Sequence, residues 1–108
     1  MKVSELVAKA GLKLFNQSSD KEIQGVYISD MVSDIIGIGP GNLLVTLQTH
    51  KNLIAAANLV DVAAVVFSRG KIPTEDVVAL ASKAGIWLLG FEGDTWTLAK
   101  ELYEAGVR

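Results

Sequence analysis

The sequence predicts an α/β fold in which a mostly parallel sheet is flanked by helices on both faces. Strand-like and helix-like segments alternate about four times between residue 23 and the end of the chain. The connections between them are short, which is typical of βαβ units. Half of the 108 residues are hydrophobic, enough to cover both faces of a buried sheet. The length fits a single domain that spans residues 1–108.

Five strands are predicted from short apolar runs that lie between polar or glycine-containing segments. Their predicted bounds are residues 13–15, 23–29, 43–48, 62–67 and 86–89. The run at 62–67 is the clearest of the five, because a continuous apolar run is typical of a parallel strand that is buried on both faces.

Five helices are predicted from apolar residues that are spaced three and four positions apart. Their predicted bounds are residues 3–12, 30–36, 52–59, 74–84 and 95–105. Residue types that favour N-caps stand at or near the start of four of them: Ser4, Ser29 or Asp30, Thr74 and Asp94. Gly11 and Gly85 are predicted to end the first and fourth helices, because glycine tolerates the left-handed conformation of a helix end.

The composition excludes several classes of site. The chain has no cysteine and one histidine, which excludes disulfides, thiolate metal sites and a multi-histidine metal site within one chain. A net charge of −2 and an isoelectric point near 5.3 argue against a nucleic-acid partner. The apolar runs are too short to span a bilayer, so no membrane partner is expected. We therefore expect a cytoplasmic domain without a metal ion or cofactor.

Ligands of open parallel sheets bind beyond the carboxyl ends of the strands. Here polar segments follow the predicted strands, and each leads into a helix whose first N–H groups are free. The candidate ligand-binding residues in these segments are Ser29, Asp30, Gln48, Thr49, His50, Asn52, Ser68, Arg69 and Gly70. Arg69 and Lys71 add positive charge, so this edge suits an anion or a small polar ligand. The alternative is that these residues only cap helices and form solvated loops.

His50 lies in the densest polar cluster, directly after a predicted buried strand. Imidazole titrates near neutrality and can serve as an acid, a base or a hydrogen-bond donor. A general base also needs a positioned partner, which the sequence does not supply. In the alternative, Thr49 caps the next helix and His50 lies on the surface.

Two further patterns have weaker chemical meaning. Asp30 and Asp34 are four positions apart, so they could hold Mg²⁺ through water, or Asp30 could cap a helix while Asp34 is exposed. The glycines of residues 37–42 follow a predicted helix and precede a strand, the reverse of a dinucleotide-binding loop, and no Lys-Ser/Thr follows them. That segment is predicted to be a turn, and no catalytic residue is assigned.

Two stretches resemble a known family. Residues 69–89 contain an Arg-Gly turn, a helix that begins at a proline, and the run Ala84-Gly85-Ile86 followed by two leucines, which is similar to the N-terminal domain of HPr kinase/phosphorylase. Residues 20–34 resemble the DRTGG motif and the segment after it, and residues 47–52 resemble stand-alone DRTGG proteins. At the motif itself Asp20 and Gly25 match, whereas Lys21, Gln24 and Val26 stand where Arg, Thr and the second Gly are usual. The chain thus resembles a stand-alone DRTGG-domain protein along most of its length.

The resemblance implies a fold similar to the N-terminal domains of HPr kinase and the Mur ligases. It also implies an accessory role, because DRTGG domains occur beside phosphate acetyltransferase domains and between CBS domains of some pyrophosphatases, in a region regulated by adenine nucleotides. In HPr kinase the P-loop and the catalytic residues lie in the other domain. We therefore expect a non-catalytic regulatory or interaction module that forms a homodimer and senses a nucleotide or a phosphorylated metabolite at the carboxyl edge of the sheet.

Two alternatives remain open from the sequence. A surplus of apolar surface in so small a chain favours a pure assembly module that binds a second copy or another protein, without a ligand. The other alternative is a small enzyme that uses His50 with Asp30 or Arg69, which requires the imidazole to lie in a pocket within hydrogen-bond reach of a second polar side chain.

Overall fold

The computed structural model describes all residues from 1 to 108. Its strands are β1 (Lys13–Leu14), β2 (Gly25–Ile28), β3 (Asn42–Thr46), β4 (Ala64–Phe67) and β5 (Trp87–Gly90). Its helices are α1 (Val3–Ala10), α2 (Val32–Ile35), α3 (Lys51–Leu59), α4 (Glu75–Ala84) and α5 (Thr95–Ala105). None of these helices combines the length and the hydropathy that crossing a bilayer requires.

The five strands form one sheet in the order β1-β5-β4-β3-β2. Strands β2 to β5 run parallel to one another, and β1 pairs antiparallel with β5, with Lys13 opposite Gly90. Helices α1 and α5 pack on one face of the sheet, and α2, α3 and α4 pack on the other. This architecture confirms the predicted α/β fold with a mostly parallel sheet and helices on both faces.

The central strands explain why one short chain supports two hydrophobic layers. Every residue of β4 is buried, with Ala64 and Val66 in the α1–α5 layer and Val65 and Phe67 in the layer beneath α3 and α4. Side chains alternate between the faces of a strand, so a continuous apolar run fills both layers. Each layer contains a cluster of 13 buried residues.

The predicted order of elements is confirmed, and most differences lie at the ends. Gly11 and Gly85 end α1 and α4 in the left-handed conformation, with φ of 63° and 77°. Asp94 caps α5, since its carboxylate accepts a hydrogen bond from the Thr97 N–H at 2.8 Å. Thr74 is the N-cap residue of α4 as predicted, although its side chain makes no capping hydrogen bond.

Two predicted caps are wrong, and so is the alternative in which Thr49 caps the third helix. The N-cap residue of α1 is Lys2, two positions before Ser4. The N-cap residue of α3 is His50 and not Thr49. Helix α2 is only four residues long and starts after Met31, because the Asp30 carboxylate bonds to the end of β3 instead of capping the helix.

Candidate functional site

The carboxyl ends of β2 to β5 lie side by side, as the parallel register requires. Ile28 is opposite Val45, Thr46 is opposite Phe67, and Phe67 is opposite Gly90. The segments that follow the strands therefore emerge at one edge of the sheet, which we call the carboxyl edge: residues 29–30, 47–50, 68–71 and 91–94. Ser29, Thr49 and Arg69 lie on the same side of the molecule.

At the β2–β3 half of the carboxyl edge, the side chains of Ser29 and Asp30 form hydrogen bonds with nearby groups of the chain. Asp30 Oδ1 accepts from Thr46 Oγ1 at 2.9 Å and from the Leu47 N–H at 2.8 Å. Ser29 Oγ donates to Asp34 Oδ2 at 3.0 Å and accepts from the Met31 N–H at 3.2 Å. Asp30 and Asp34 thus bond to different partners and do not form the carboxylate pair that water-held Mg²⁺ would need. No group of three or more side chains in the protein is arranged to hold a metal ion.

The charge of Asp34 acts on a neighbouring side chain of this half. The negative charge of Asp34, together with partial burial, raises the pKa of the Tyr27 phenol above its ordinary value. Tyr27 lies in the layer that contains α2 and packs against the core there. This phenol stays neutral at physiological pH and offers a hydroxyl group, not an anion, to its surroundings.

His50 lies on the surface with no hydrogen-bond partner. Its imidazole is exposed at the start of α3, and no side chain positions it. The neighbouring Lys51 ammonium is paired with Asp76 Oδ2 at 2.9 Å. A hydrogen bond from the Thr74 hydroxyl and the Lys51 pair lower the pKa of Asp76 to about 2. An enzyme that uses His50 requires the imidazole to lie in a pocket within hydrogen-bond reach of a second polar side chain. The structure does not show this arrangement.

The β4–β5 half of the carboxyl edge is held together by backbone bonds between two loops. The Arg69 N–H donates to Gly93 O at 2.8 Å, and the Gly70 N–H donates to Phe91 O at 2.9 Å. Both donors have positive φ, 58° at Arg69 and 66° at Gly70. Ser68 Oγ and Thr95 Oγ1 are 2.8 Å apart, which ties the end of β4 to the start of α5. These bonds place the loop after β4 directly against the loop after β5.

The Asp94 carboxylate places a negative charge at the start of α5, which disfavours an anion there. Its hydrogen bonds from Thr97 lower the pKa of the carboxyl below its ordinary value, and the positive charge of Arg69 lowers it further. A carboxylate is therefore present at this helix end near neutral pH, and it accepts a hydrogen bond from one N–H group of the first turn of α5, that of Thr97. A bound anion would have to lie elsewhere on this half of the edge.

A cavity of about 260 Å³ lies beside these two loops, where β1 pairs with β5. Two lysines, two phenylalanines and one glutamate line it, namely Lys13, Lys71, Phe15, Phe91 and Glu92, and the Lys13 ammonium lies 5.3 Å from the centroid of the Phe15 ring. We call this the lysine cavity. Gly70 is the only residue of the predicted candidate set that lines it. The other candidates lie elsewhere along the carboxyl edge or in the helix that follows it.

Two glycines keep the lysine cavity open. A Cβ atom at Gly90 would lie 2.8 Å from Cε2 of Phe15, and one at Gly70 would lie 2.9 Å from Oε2 of Glu92. Ile72, Glu92 and Gly93 also line the cavity, and their backbone N–H groups have no acceptor within the chain. The cavity thus combines two cationic side chains with three free backbone donors.

Sequence reasoning missed the β1 side of the cavity. Lys13 and Phe15 come before the first parallel strand, so the rule about carboxyl ends does not reach them. They lie at the carboxyl edge because β1 runs antiparallel to β5. A lysine and a phenylalanine on the same side of a short strand are the available signal, but the sequence does not say which strand they pair with.

Residues 20–25 of the DRTGG-like segment lie at the opposite, amino edge of the sheet. Asp20 Oδ1 accepts from the Ser4 and Lys21 N–H groups, each at 3.1 Å, and Oδ2 accepts from the Ser4 hydroxyl. The bonds from Ser4 lower the pKa of Asp20. Lys21 Nζ donates to the carbonyl of Gly85 at the end of α4. A Cβ atom at Gly25 would lie 2.9 Å from Asn42 Oδ1. In this chain the segment connects the start of α1 to the end of α4.

Comparisons with known proteins support the fold. No protein-family model matches the sequence, and no curated protein matches it. Among solved structures, the chain is similar to the CBS and DRTGG domains of the regulatory region of Clostridium perfringens pyrophosphatase, complexed with its activator diadenosine tetraphosphate. The TM-score is 0.79 at 14% sequence identity, over 95% of this chain and 46% of that chain.

This similarity supports the DRTGG-like fold that the sequence resemblance implied. The protein spans about half the length of the pyrophosphatase regulatory chain. The further similarity to HPr kinase stays a prediction.

Proposed function

We propose that the protein is a non-catalytic regulatory module that senses a nucleotide or another phosphorylated metabolite at the carboxyl edge, with the phosphate bound in the lysine cavity. The observation that carries this proposal is that Lys13, Lys71 and three residues with free backbone N–H groups line one cavity. The regulatory region of similar fold, which was solved with an activator nucleotide, supports the ligand class.

Each part of the lysine cavity suits one part of such a ligand. Ammonium groups and free N–H donors bind phosphate oxygens through charge-assisted hydrogen bonds. The rings of Phe15 and Phe91 offer apolar faces for a planar base or a sugar ring. The carboxylate of Glu92 repels phosphate but accepts hydrogen bonds from ligand hydroxyl groups. The cavity therefore favours ligands that carry hydroxyl groups as well as a phosphate. A volume of about 260 Å³ favours a small ligand over an extended dinucleotide.

The candidate residues from the sequence divide between the two halves of the edge. Ser68, Arg69 and Gly70 belong to the loop beside the lysine cavity. We propose that Arg69, whose side chain is exposed there, strengthens the attraction for a phosphate. The β2–β3 residues and the start of α3 keep a predicted contribution to ligand binding: Ser29, Asp30, Gln48, Thr49, His50 and Asn52. A cytoplasmic location likewise remains a prediction.

Thermal-shift and calorimetric measurements with mononucleotides, sugar phosphates and inorganic phosphate test the proposal. A ligand at 100 times its Kd should stabilise the fold by about 2.7 kcal/mol. The change Lys71→Met should abolish most of that shift. Lys83→Met, at an exposed lysine near the end of α4, serves as the matched control and should leave it intact. A panel without any shift, or a shift that survives both Lys71→Met and Lys13→Met, would contradict the proposal.

A second candidate is an assembly module that forms a homodimer or binds another protein. The specific observation in its favour is that β2 ends the sheet with one free edge, next to exposed apolar side chains. Sedimentation over a concentration series tests it. A chain that remains monomeric at the highest concentration reached would rule out the homodimer.

A further inference from the structure

Strand β2 has an open edge. It is the last strand of the sheet, with β3 on one side and no strand on the other. The Ser29 N–H donates to Val45 O at 3.1 Å, so position 29 faces β3. In a parallel pair, alternate residues direct their backbone groups towards the partner strand. The N–H and C=O groups of Val26 and Ile28 therefore point away from β3, towards the open side.

Residues 25–28 of this edge lack the usual protection against strand pairing, although the N-terminal segment pairs with the chain directly before them, where Lys2 forms an antiparallel bridge with Glu22. Native proteins block free edges with charged residues, proline, bulges or a covering segment. The strand reads Gly-Val-Tyr-Ile, with no charge and no proline, and four residues pair with β3 in an unbroken register. The other sheet edge, β1, is only two residues long and carries Lys13. Of the two outer strands of the sheet, β2 is the one that can pair with a further strand.

Exposed apolar side chains continue from β2 onto α5. Ile28 is 50% exposed, Trp96 is 81% exposed and Tyr103 is 62% exposed. Residues 96, 99, 100 and 103 share one face of the helix. Two adjoining depressions of about 290 and 260 Å³ have Ala99 and Tyr103 in common, and the larger one also reaches Val26 and Ile28. Arg108 lines the larger depression too, and its guanidinium covers one face of the Tyr103 ring, 4.0 Å from the centroid. We call this continuous area the β2–α5 surface.

We propose that the β2–α5 surface binds a second copy of the chain, with the two β2 strands paired antiparallel across a two-fold axis. This inference rests on the assembly candidate above and names its interface. A strand that pairs with its own copy needs no partner sequence, because a two-fold interface is self-complementary. The result is a continuous ten-stranded sheet, twice the five strands of one chain.

The same axis explains the position of the exposed aromatic residues. A two-fold axis perpendicular to the sheet leaves α5 of both copies on the same face, where the two helices run antiparallel. Ala99 lies midway between Trp96 and Tyr103, and its small side chain lets the helices approach closely. The indole of each copy then lies against the tyrosine ring of the other, a contact that aromatic pairs favour.

The surface has the size of a modest dimer interface. With about 150–250 Å² per large aromatic side chain, the exposed parts of Trp96 and Tyr103 supply on the order of 300 Å² per copy. Ile28, Val26, Ala99 and the strand backbone add to this, against roughly 800 Å² per partner in a standard interface. We expect a reversible dimer with a Kd on the order of micromolar.

Sedimentation velocity of the full chain across that concentration range tests the interface. Ile28→Lys and Trp96→Glu should each raise the dimer Kd at least about tenfold. Leu59→Lys is the matched control, since Leu59 is 73% exposed on α3, on the other face of the sheet. It should leave the Kd unchanged. In the unmodified chain, hydrogen exchange at the Val26 and Ile28 amides should slow as the concentration rises.

The possible results test this interface separately from the homodimer and from the ligand proposal. A monomer at every concentration overturns both the homodimer and this interface, and leaves the ligand proposal standing. A dimer whose Kd is the same in all three variants, with fast exchange at Val26 and Ile28, keeps the homodimer and overturns the interface. If Ile28→Lys does not fold by circular dichroism, Tyr103→Glu replaces it, because that side chain is largely exposed. The exchange measurement needs no substitution.

Discussion

The two edges of the sheet use polar residues in opposite ways. At the amino edge, Asp20 and Lys21 direct their side chains to the start of α1 and the end of α4, so their hydrogen bonds are used within the fold. At the β4–β5 half of the carboxyl edge, Lys13 and Lys71 line a cavity together with unpaired backbone donors. Polar residues that stand out in a sequence motif can therefore stabilise the fold, whereas polar residues outside any motif can remain free to bind a ligand.

Alanine should lower the stability of the fold more at Gly90, at the carboxyl edge, than at Gly25, at the amino edge. We expect Gly90→Ala to destabilise the fold by about 1–3 kcal/mol, the usual cost of overpacking, because its methyl group would meet the Phe15 ring at 2.8 Å. That ring cannot withdraw freely, since it packs against Phe67 with 6.4 Å between the centroids. Gly25→Ala should cost less, since the atom it meets is the outer end of the Asn42 side chain. Urea denaturation of both variants measures the difference, and the reverse order would contradict it.

The second prediction separates folding from ligand binding at the amino edge. Asp20→Ala removes the acceptor of the Ser4 N–H and hydroxyl, so it should lower the Tm. It should leave the response to any phosphorylated ligand unchanged. Glu101→Ala removes a carboxylate that accepts no hydrogen bond, and serves as the control. If Asp20→Ala instead abolished a ligand-induced shift while the Tm stayed constant, the structural role assigned to this segment would be wrong.

Much of the fold is predictable from the sequence because its signals are local. The continuous apolar run of β4, the glycines that end α1 and α4, and the Asp94 cap each depend on a few neighbouring residues. The short helix α2 was predicted too long, because Asp30 finds its partners sixteen and seventeen positions away, at Thr46 and Leu47. Local preference at Asp30 yields to a tertiary hydrogen bond.

The candidate site is less predictable because it depends on strand order. The carboxyl edge follows from parallel strands alone, and the nine candidates were placed along it for that reason. The lysine cavity needs in addition the antiparallel pairing of β1 with β5, which brings Lys13 opposite Gly90. Nothing within residues 13–15 specifies that neighbour, so only the assembled sheet shows that Lys13 and Lys71 face one cavity.

The third prediction concerns the single carboxylate of the lysine cavity. Glu92→Gln removes a negative charge from beside Lys13 and Lys71, so it should raise the affinity for inorganic phosphate several-fold, an effect that salt weakens. The same change should lower the preference for ligands that carry hydroxyl groups over phosphate alone. Calorimetry with phosphate and with a sugar phosphate, for both proteins, measures the two effects. An unchanged ratio of the two affinities would show that Glu92 does not face the ligand.

A small effect is expected where the start of α3 meets the start of α4, at the ion pair of Lys51 with Asp76. The pKa of Asp76 is lowered from 3.8 to about 2, first by the Thr74 hydroxyl and then by Lys51. A folded-state pKa below the unfolded value means that the stabilisation is complete above pH 3.8 and is lost as the pH falls towards 2. The effect is small, because both side chains are more than half exposed and salt screens them. Asp76→Asn should therefore flatten the decline of Tm slightly between these pH values, more clearly at low salt than at high salt. A decline that is identical in the two proteins at low salt would show that solvent already screens the pair, as it does at most exposed ion pairs.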